Sequence, residues 1–230
     1  MTSFASSNTT LAPSVAPSTS SSTAPSSTDP TAFTFPALYN YPPFFTLQPI
    51  LPTRHSQLLS WSLLIQAYTR HHALFSLSLI DALATPLFHN RPLNRRLSLR
   101  DARAVIDYMC SKDGDSRAEW VTAPSTSSNV LKKSNPSGGG GGADEEGGGR
   151  FWVFWRKPDE WANLIEGWVD STGQKGVVLT LYELAEGDAT RGQEFHGMEA
   201  ELLSRCLGVS VKRGRAQVFG AEGGEGVKFF

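Results

Sequence analysis

Cysteine is nearly missing from this chain: Cys110 and Cys206 stand far apart in 230 residues, without metal-ligand neighbours. That excludes a disulfide framework and a Cys-based zinc site, and it fits a reducing compartment. Excess charge of either sign is missing too. With 21 basic and 22 acidic side chains the formal net charge is -1, too little for a dedicated electrostatic grip on a phosphate backbone or an anionic membrane. No apolar run approaches the roughly 18 residues of a membrane span. The first basic residue is Arg54, so the start of the chain has neither the charged-then-apolar layout of a signal peptide nor the arginines of a transit peptide. A cytosolic protein is expected.

Converging catalytic groups are also lacking. His55, His71, His72, His89 and His196 are scattered, and none has the spacing of a zinc protease motif. His71 and His72, near a helix C-terminus, are explained by the helix dipole favouring positive charge there. His196 is expected to help turn the chain into the last helix. Both cysteines fall on presumed inner helix faces and read as buried thiols. No catalytic residue, cofactor or metal is expected, and the protein is read as a non-enzyme.

What is present begins with two low-complexity segments. Residues 1–32 are Ser, Thr, Pro and Ala with few large apolar groups, too little burial to offset ordering entropy, so a disordered tail is expected. The segment 123–149 contains GGGGGADEEGGG. A phosphate loop needs Gly-Lys-Ser/Thr opening a helix, whereas these glycines precede Ala-Asp-Glu-Glu, which repels phosphate. It reads as a flexible insertion.

Between and after these segments, one order of elements occurs twice. TRHSQLLSWSLLIQAYTRHH places Leu58, Trp61, Ile65 and Tyr68, with Leu64 alongside, on one helix face. ALFSLS reads as a strand, Ser78 caps a short helix, and Ser98 with Asp101 opens a third helix that ends before Gly114. AEWV and RFWVFW read as a hairpin carrying the insertion at its tip. Within FWVFW, Trp152 and Trp155 are expected on opposite strand faces, one facing solvent or the neighbouring domain, with a rigid contact between domains the favoured reading. The second copy runs through PDEWANLIEGWVDS, with Trp161, Leu164, Ile165 and Trp168 on one face. VVLT, LYELAEG and GMEAELLSRCLG follow, the last stopping at Gly208. AQVFG and GVKFF then pair around the turn Glu222 to Gly226. Helix, strand, helix, helix, hairpin is the winged-helix plan. The fold expected is α+β, mainly helical: two tandem winged-helix domains, 53–156 and 157–230, behind an arm at 33–52 and the disordered tail.

Winged helices often read DNA, which requires a basic stripe on the third helix and wing. Residues 150–230 instead hold ten basic against twelve acidic side chains, and the wing turn AEGGEG is acidic. Arg100 and Arg103 lie on the first copy's third helix. Lys212, Arg213 and Arg215 read as a solvated turn. A DNA-binding role is kept as the alternative, with no direct nucleic acid contact expected. The stretch FPALYNYPPFF, Phe35 to Phe45, carries five aromatics and three prolines. Prolines hold a segment near polyproline II, which lowers the entropy lost on docking into an apolar groove. From the residues alone, docking outward and packing back on its own domain both stand.

YPPFFTLQP, RHSQLLSW, PLFHN, FWVFWRKPDEW, TLYEL, EFHGM and GVKFF together resemble the small-subunit family of the ESCRT-II endosomal sorting complex. The resemblance spans both ordered regions and essentially neither low-complexity segment. It implies tandem winged helices and an assembly in which two copies join one copy of each of two larger subunits. It also implies that a Pro-Pro-x-aromatic motif docks in apolar pockets on those subunits. Here the motif maps onto Pro42, Pro43, Phe44 and Phe45 after Tyr41, with Phe at the last place. The earlier half, Phe35, Pro36, Leu38 and Tyr39, has Ala37 in place of a second proline. The resemblance further implies recruitment of an ESCRT-III subunit through residues 150–230, in sorting ubiquitinated cargo into multivesicular bodies. Membrane contact on endosomes is expected only through partners, because the chain shows no basic amphipathic helix or lipidation signal. On this reading Phe44→Ala with Phe45→Ala leaves the domains folded and abolishes assembly.

Overall fold

Residues 1, 32–121, 149–220 and 226–230 are described by the structure, a computed structural model. The expected disordered tail, the glycine-rich insertion and the turn Glu222 to Gly226 lie almost entirely outside the described residues. Phe33–Phe230 form one compact unit of mixed helix and sheet.

The arm leads into α1 (Leu51–His71), which has Pro52 in its first turn, where a missing N–H costs nothing. Trp61, Leu64, Ile65 and Tyr68 are buried on one side of it. β1 (Ser76–Ser78) runs directly into α2 (Leu79–Ala84), whose start is capped by Ser78 Oγ accepting from the Asp81 N–H. A short ribbon of β2 (His89–Asn90) and β3 (Arg95–Arg96), too brief to leave a period in the sequence, precedes α3 (Leu99–Cys110). Ser98 caps α3, accepting from the Asp101 N–H at 3.1 Å. β4 (Ala118–Trp120) and β5 (Arg150–Val153) complete the first motif.

The second motif is α4 (Pro158–Ser171), β6 (Val178–Thr180), α5 (Leu181–Glu186), α6 (Ala200–Lys212), β7 (Ala216–Phe219) and β8 (Gly226–Phe229). Both motifs have a three-stranded antiparallel sheet with the last strand in the middle, β1-β5-β4 and β6-β8-β7. The element order expected from the sequence is therefore present twice. One boundary differs. α6 does not stop at Gly208 but continues to Lys212, and Gly214 at φ +70° ends it. A glycine inside a helix weakens it by only about 1 kcal/mol, which the burial of Leu207 and Ser210 on either side offsets.

β5 joins the two motifs. Phe151 and Val153 point into the first hydrophobic cluster, with Trp61, Ile65 and Val105. Trp152, and Phe154 just beyond the strand, point into the second, with Trp161, Leu203 and Phe229. The alternation of a strand thus feeds two cores at once. Trp155 departs from expectation: β5 ends at Val153, so alternation no longer governs it. It lies on the second core's side, against Phe75 (4.8 Å) and Trp161 (5.6 Å). Phe75, from the first motif, is itself buried in the second cluster.

Two carboxylates on the second motif close the seam. Glu199 accepts from Ser76, Arg150 and Trp152, and Glu194 pairs with Arg70 at 2.7 Å and with Arg156. Burial alone would raise Glu199, but the hydrogen bonds from Ser76, Trp152 and Arg150 and the Arg150 charge hold it below the usual carboxylate value. Glu194 is held down chiefly by Arg156. Both folded-state values are depressed, so this stabilisation is present above the unfolded value of about 4.3 and is lost as pH falls below it. Near-ultraviolet circular dichroism is expected to report an unchanged tryptophan environment from pH 7 to 5 and a change beginning below about pH 4.3. A change centred near pH 6 would contradict this account of the seam.

Candidate protein-docking site

The arm forms two successive 3-10 turns, Ala37–Asn40 and Pro42–Phe45, in place of the polyproline II segment that its three prolines suggested. Pro36 and Tyr41 remain extended, at ψ 156° and 111°, and each hands its carbonyl to the turn that follows. The Tyr39 N–H donates to Pro36 O and the Phe44 N–H to Tyr41 O, both at 2.9 Å. Proline fixes the φ that such a turn needs, and at its first positions no N–H is missed.

The turns sort the arm's side chains into two sets. Tyr39, Phe44 and Phe45 face inward, 6%, 3% and 3% exposed, as part of the chain's own first cluster. Phe44 stacks on Trp61 at 4.2 Å and 8°, Phe45 meets the same indole edge-on, and half-buried Phe35 stacks on Tyr39 at 4.0 Å. The Tyr39 hydroxyl donates to the Pro86 carbonyl, and burial first, then neighbouring Tyr68, pushes its pKa up to about 12. Pro36, Leu38, Tyr41, Pro42 and Pro43 face outward, with Leu38 40% and Tyr41 56% exposed. Of the two arrangements the sequence left standing, the chain by itself shows inward packing for its deepest aromatics. It presents a second, apolar face outward.

That outer face borders a cleft of about 250 Å³, walled by Leu38, Tyr41 and Pro43 on one side and by Ser56 and Ser60 of α1 on the other, with Phe44 among its lining residues. α1 is held to the arm by polar groups that periodicity did not single out. Gln57 Nε2 donates to the carbonyls of Phe44 (2.8 Å) and Thr46 (3.0 Å), and Gln57 Oε1 accepts from the Gln48 N–H at 3.0 Å. Trp61 Nε1 donates to the Phe44 carbonyl, and Asn90 Nδ2 to the Tyr39 carbonyl. The signal for Gln57 was available: it falls in line with Trp61, Leu64 and Tyr68 on the buried side of α1, a polar residue where only apolar ones belong.

A second concavity, about 840 Å³, lies on the second motif between α5 and the start of α6. Leu181, Tyr182, Met198, Glu186 and Glu201 line it, and Tyr182 is 68% exposed. Elsewhere the groups weighed for other functions are engaged in the fold. Arg215 pairs with the buried Glu166 at 3.0 Å, Arg213 donates to Asn163, and Arg103 lies over the Trp120 ring. The basic cluster after α6 is thus partly a structural ion pair, not only a solvated turn. His71 lies in the last turn of α1 as the dipole reading expects; burial and the adjacent His71 push the His72 imidazole below its usual value, and its ring packs on Tyr68. Gly197, at φ +79°, makes the turn assigned to His196, whose Nδ1 lies 3.0 Å from Thr190 Oγ1. Cys206 is buried and pushed up to about 12 by desolvation, and half-buried Cys110 to about 11. Among the described residues no cluster of His, Cys, Asp or Glu could hold a metal, and no helix is long and apolar enough to cross a membrane.

Residues 38–199 match the family model described as ESCRT-II complex subunit, starting inside the arm. The chain belongs to the ESCRT-II complex subunit family. Curated relatives of this ESCRT-II chain include Vacuolar protein-sorting-associated protein 25 of Xenopus laevis, 35% identical over 86% of the chain and 99% of the relative. The protein of the same name from Dictyostelium discoideum is 41% identical over 86% and 96%. Among solved structures, a chain of the ESCRT-II endosomal trafficking complex superposes with a TM-score of 0.67 at 28% identity, covering 85% of this chain and 99% of that one. Crystalline subunit VPS25 of the same complex gives 0.66 at 25%, over 85% and 98%. A third neighbour, at 0.66 and 28%, is from the crystal structure of the endosomal complex ESCRT-II (VPS22/VPS25/VPS36).

Proposed function

We propose that this chain is a non-enzymatic adaptor subunit of ESCRT-II, built of an arm (33–52) and two tandem winged helices (53–156 and 157–230). The arm joins it to the two larger subunits, and the second winged helix recruits an ESCRT-III subunit. The observation that carries this reading is the outward face of the arm. Leu38, Tyr41, Pro42 and Pro43 stand exposed around a cleft, on a backbone fixed from behind by α1. Large apolar groups held rigidly in water are the mark of a docking surface, because little entropy remains to be lost on binding. A neighbour's crystal structure holding three different subunits supports the same reading. Phe35, Pro36 and Tyr39 shape the first turn of the dock, and Phe44 and Phe45 anchor the second from beneath.

For ESCRT-III recruitment the supporting feature is the groove between α5 and α6, whose apolar floor and Glu186 and Glu201 rim suit a basic amphipathic helix. Phe75 completes that motif's core, so the full chain, not residues 150–230 alone, is the form to assay. In sorting of cargo at endosomes, membrane contact comes through partners. Co-expression with the two larger subunits, followed by gel filtration, tests the adaptor reading. Co-elution as one stable complex is expected, and elution of this chain alone would refute it.

A further inference from the structure

We infer that Gln57 is the positioning residue of the dock: its side-chain amide, buried at the edge of the cleft, sets the arm in binding-ready form. The inference rests on the reading that the arm's outer face binds the larger subunits. Gln57 is 7% exposed and sits on the side of α1 that faces the arm. One amide there serves the C-terminal end of the second turn and the residues just after it. Its N–H group bridges the carbonyls of Phe44 and Thr46, and its oxygen receives the Gln48 N–H. Those backbone groups end and follow the turn Pro42–Phe45, where no regular ladder is available to satisfy them. An apolar side chain at position 57 leaves the Gln48 N–H without its acceptor and removes one of the donors to the Phe44 and Thr46 carbonyls, which keep Trp61 Nε1 and Gln48 Nε2; a carboxylate keeps the acceptor and sets negative charge against two carbonyls. Glutamine has the reach and the two kinds of polar atom that the site needs.

The consequence is kinetic. The second turn carries Pro42 and Pro43, and the outer face is assembled only while that turn is closed. If closure becomes a minor state, the apparent affinity falls by the fraction still closed. Each hydrogen bond lost shifts that fraction, and the loss of this set corresponds to about tenfold. Trp61 and the stacked Phe44 keep α1 and the core intact meanwhile.

The test uses the full chain and a preformed complex of the two larger subunits immobilised on a sensor surface. Wild type is compared with Gln57→Met and Gln57→Glu. The association rate is expected to fall about tenfold for Met and at least as far for Glu, with dissociation within about twofold. Hydrogen exchange on the free variants is expected to show lost protection at the Gln48 amide with the α6 amides unchanged, which separates a loosened arm from a damaged fold. A Glu variant that behaves as wild type overturns the inference, as does a change confined to dissociation, which would mark a direct contact. So does an arm as protected as in wild type. Wild type that fails to bind overturns the docking reading itself; wild type that binds, with both variants unchanged, overturns only the role of Gln57.

Discussion

Leu38→Ala combined with Tyr41→Ala is expected to weaken binding to the larger ESCRT-II subunits by about a hundredfold or more, leaving the chain as stable as before. These side chains are 40% and 56% exposed, so they contribute little to their own fold, and such surface changes usually stay within about 0.5 kcal/mol. Truncating a large side chain that anchors in a partner's pocket costs about 2 kcal/mol or more, and about 3 kcal/mol together is already a hundredfold in affinity. Titration calorimetry with the larger subunits and thermal unfolding of the free chain check the two halves of this prediction. Unchanged affinity, or a collapse of the unfolding midpoint, would contradict it.

Phe44→Ala with Phe45→Ala is expected to act in the opposite way, by unfolding the first motif. Both rings are 3% exposed against Trp61, and truncating a buried Phe costs about 3–5 kcal/mol each. Because the two rings also touch one another, the costs do not simply add. A domain holds only about 5–15 kcal/mol in total, so a loss of about 6 kcal/mol or somewhat less is a large share of it. The burial thus predicts the opposite of what the resemblance implies, that this pair can be removed with the domains intact. Loss of assembly in that variant would report a lost fold, not a lost contact. Urea unfolding followed by tryptophan fluorescence is the check; a midpoint within error of wild type would show that the rings are not core.

Much of the architecture was legible in the sequence because it rests on local rules. Caps at Ser78 and Ser98, Pro158 opening α4, and the apolar faces of α1 and α4 all appear where spacing placed them. What was not legible depends on tertiary context. The stop of α6 is decided by Gly214 rather than Gly208, because burial on both sides of Gly208 outweighs its propensity. The switch of β5 between two cores needs the second motif to be in place. The candidate site was half legible: composition marked the arm as apolar and preorganised, but which rings turn inward is set by α1, through Trp61 and Gln57. The resemblance supplied the family, which the matched model bears out.

We propose the outer face of the arm as the docking surface. Hydrogen exchange of the full chain with and without the two larger subunits tests it most directly. Binding is predicted to slow exchange over residues 38–48 and in the first half of α1, around Ser56 and Ser60, with β7 and β8 unaffected. Complex formation that leaves the arm's exchange unchanged, and protects another surface instead, would contradict it.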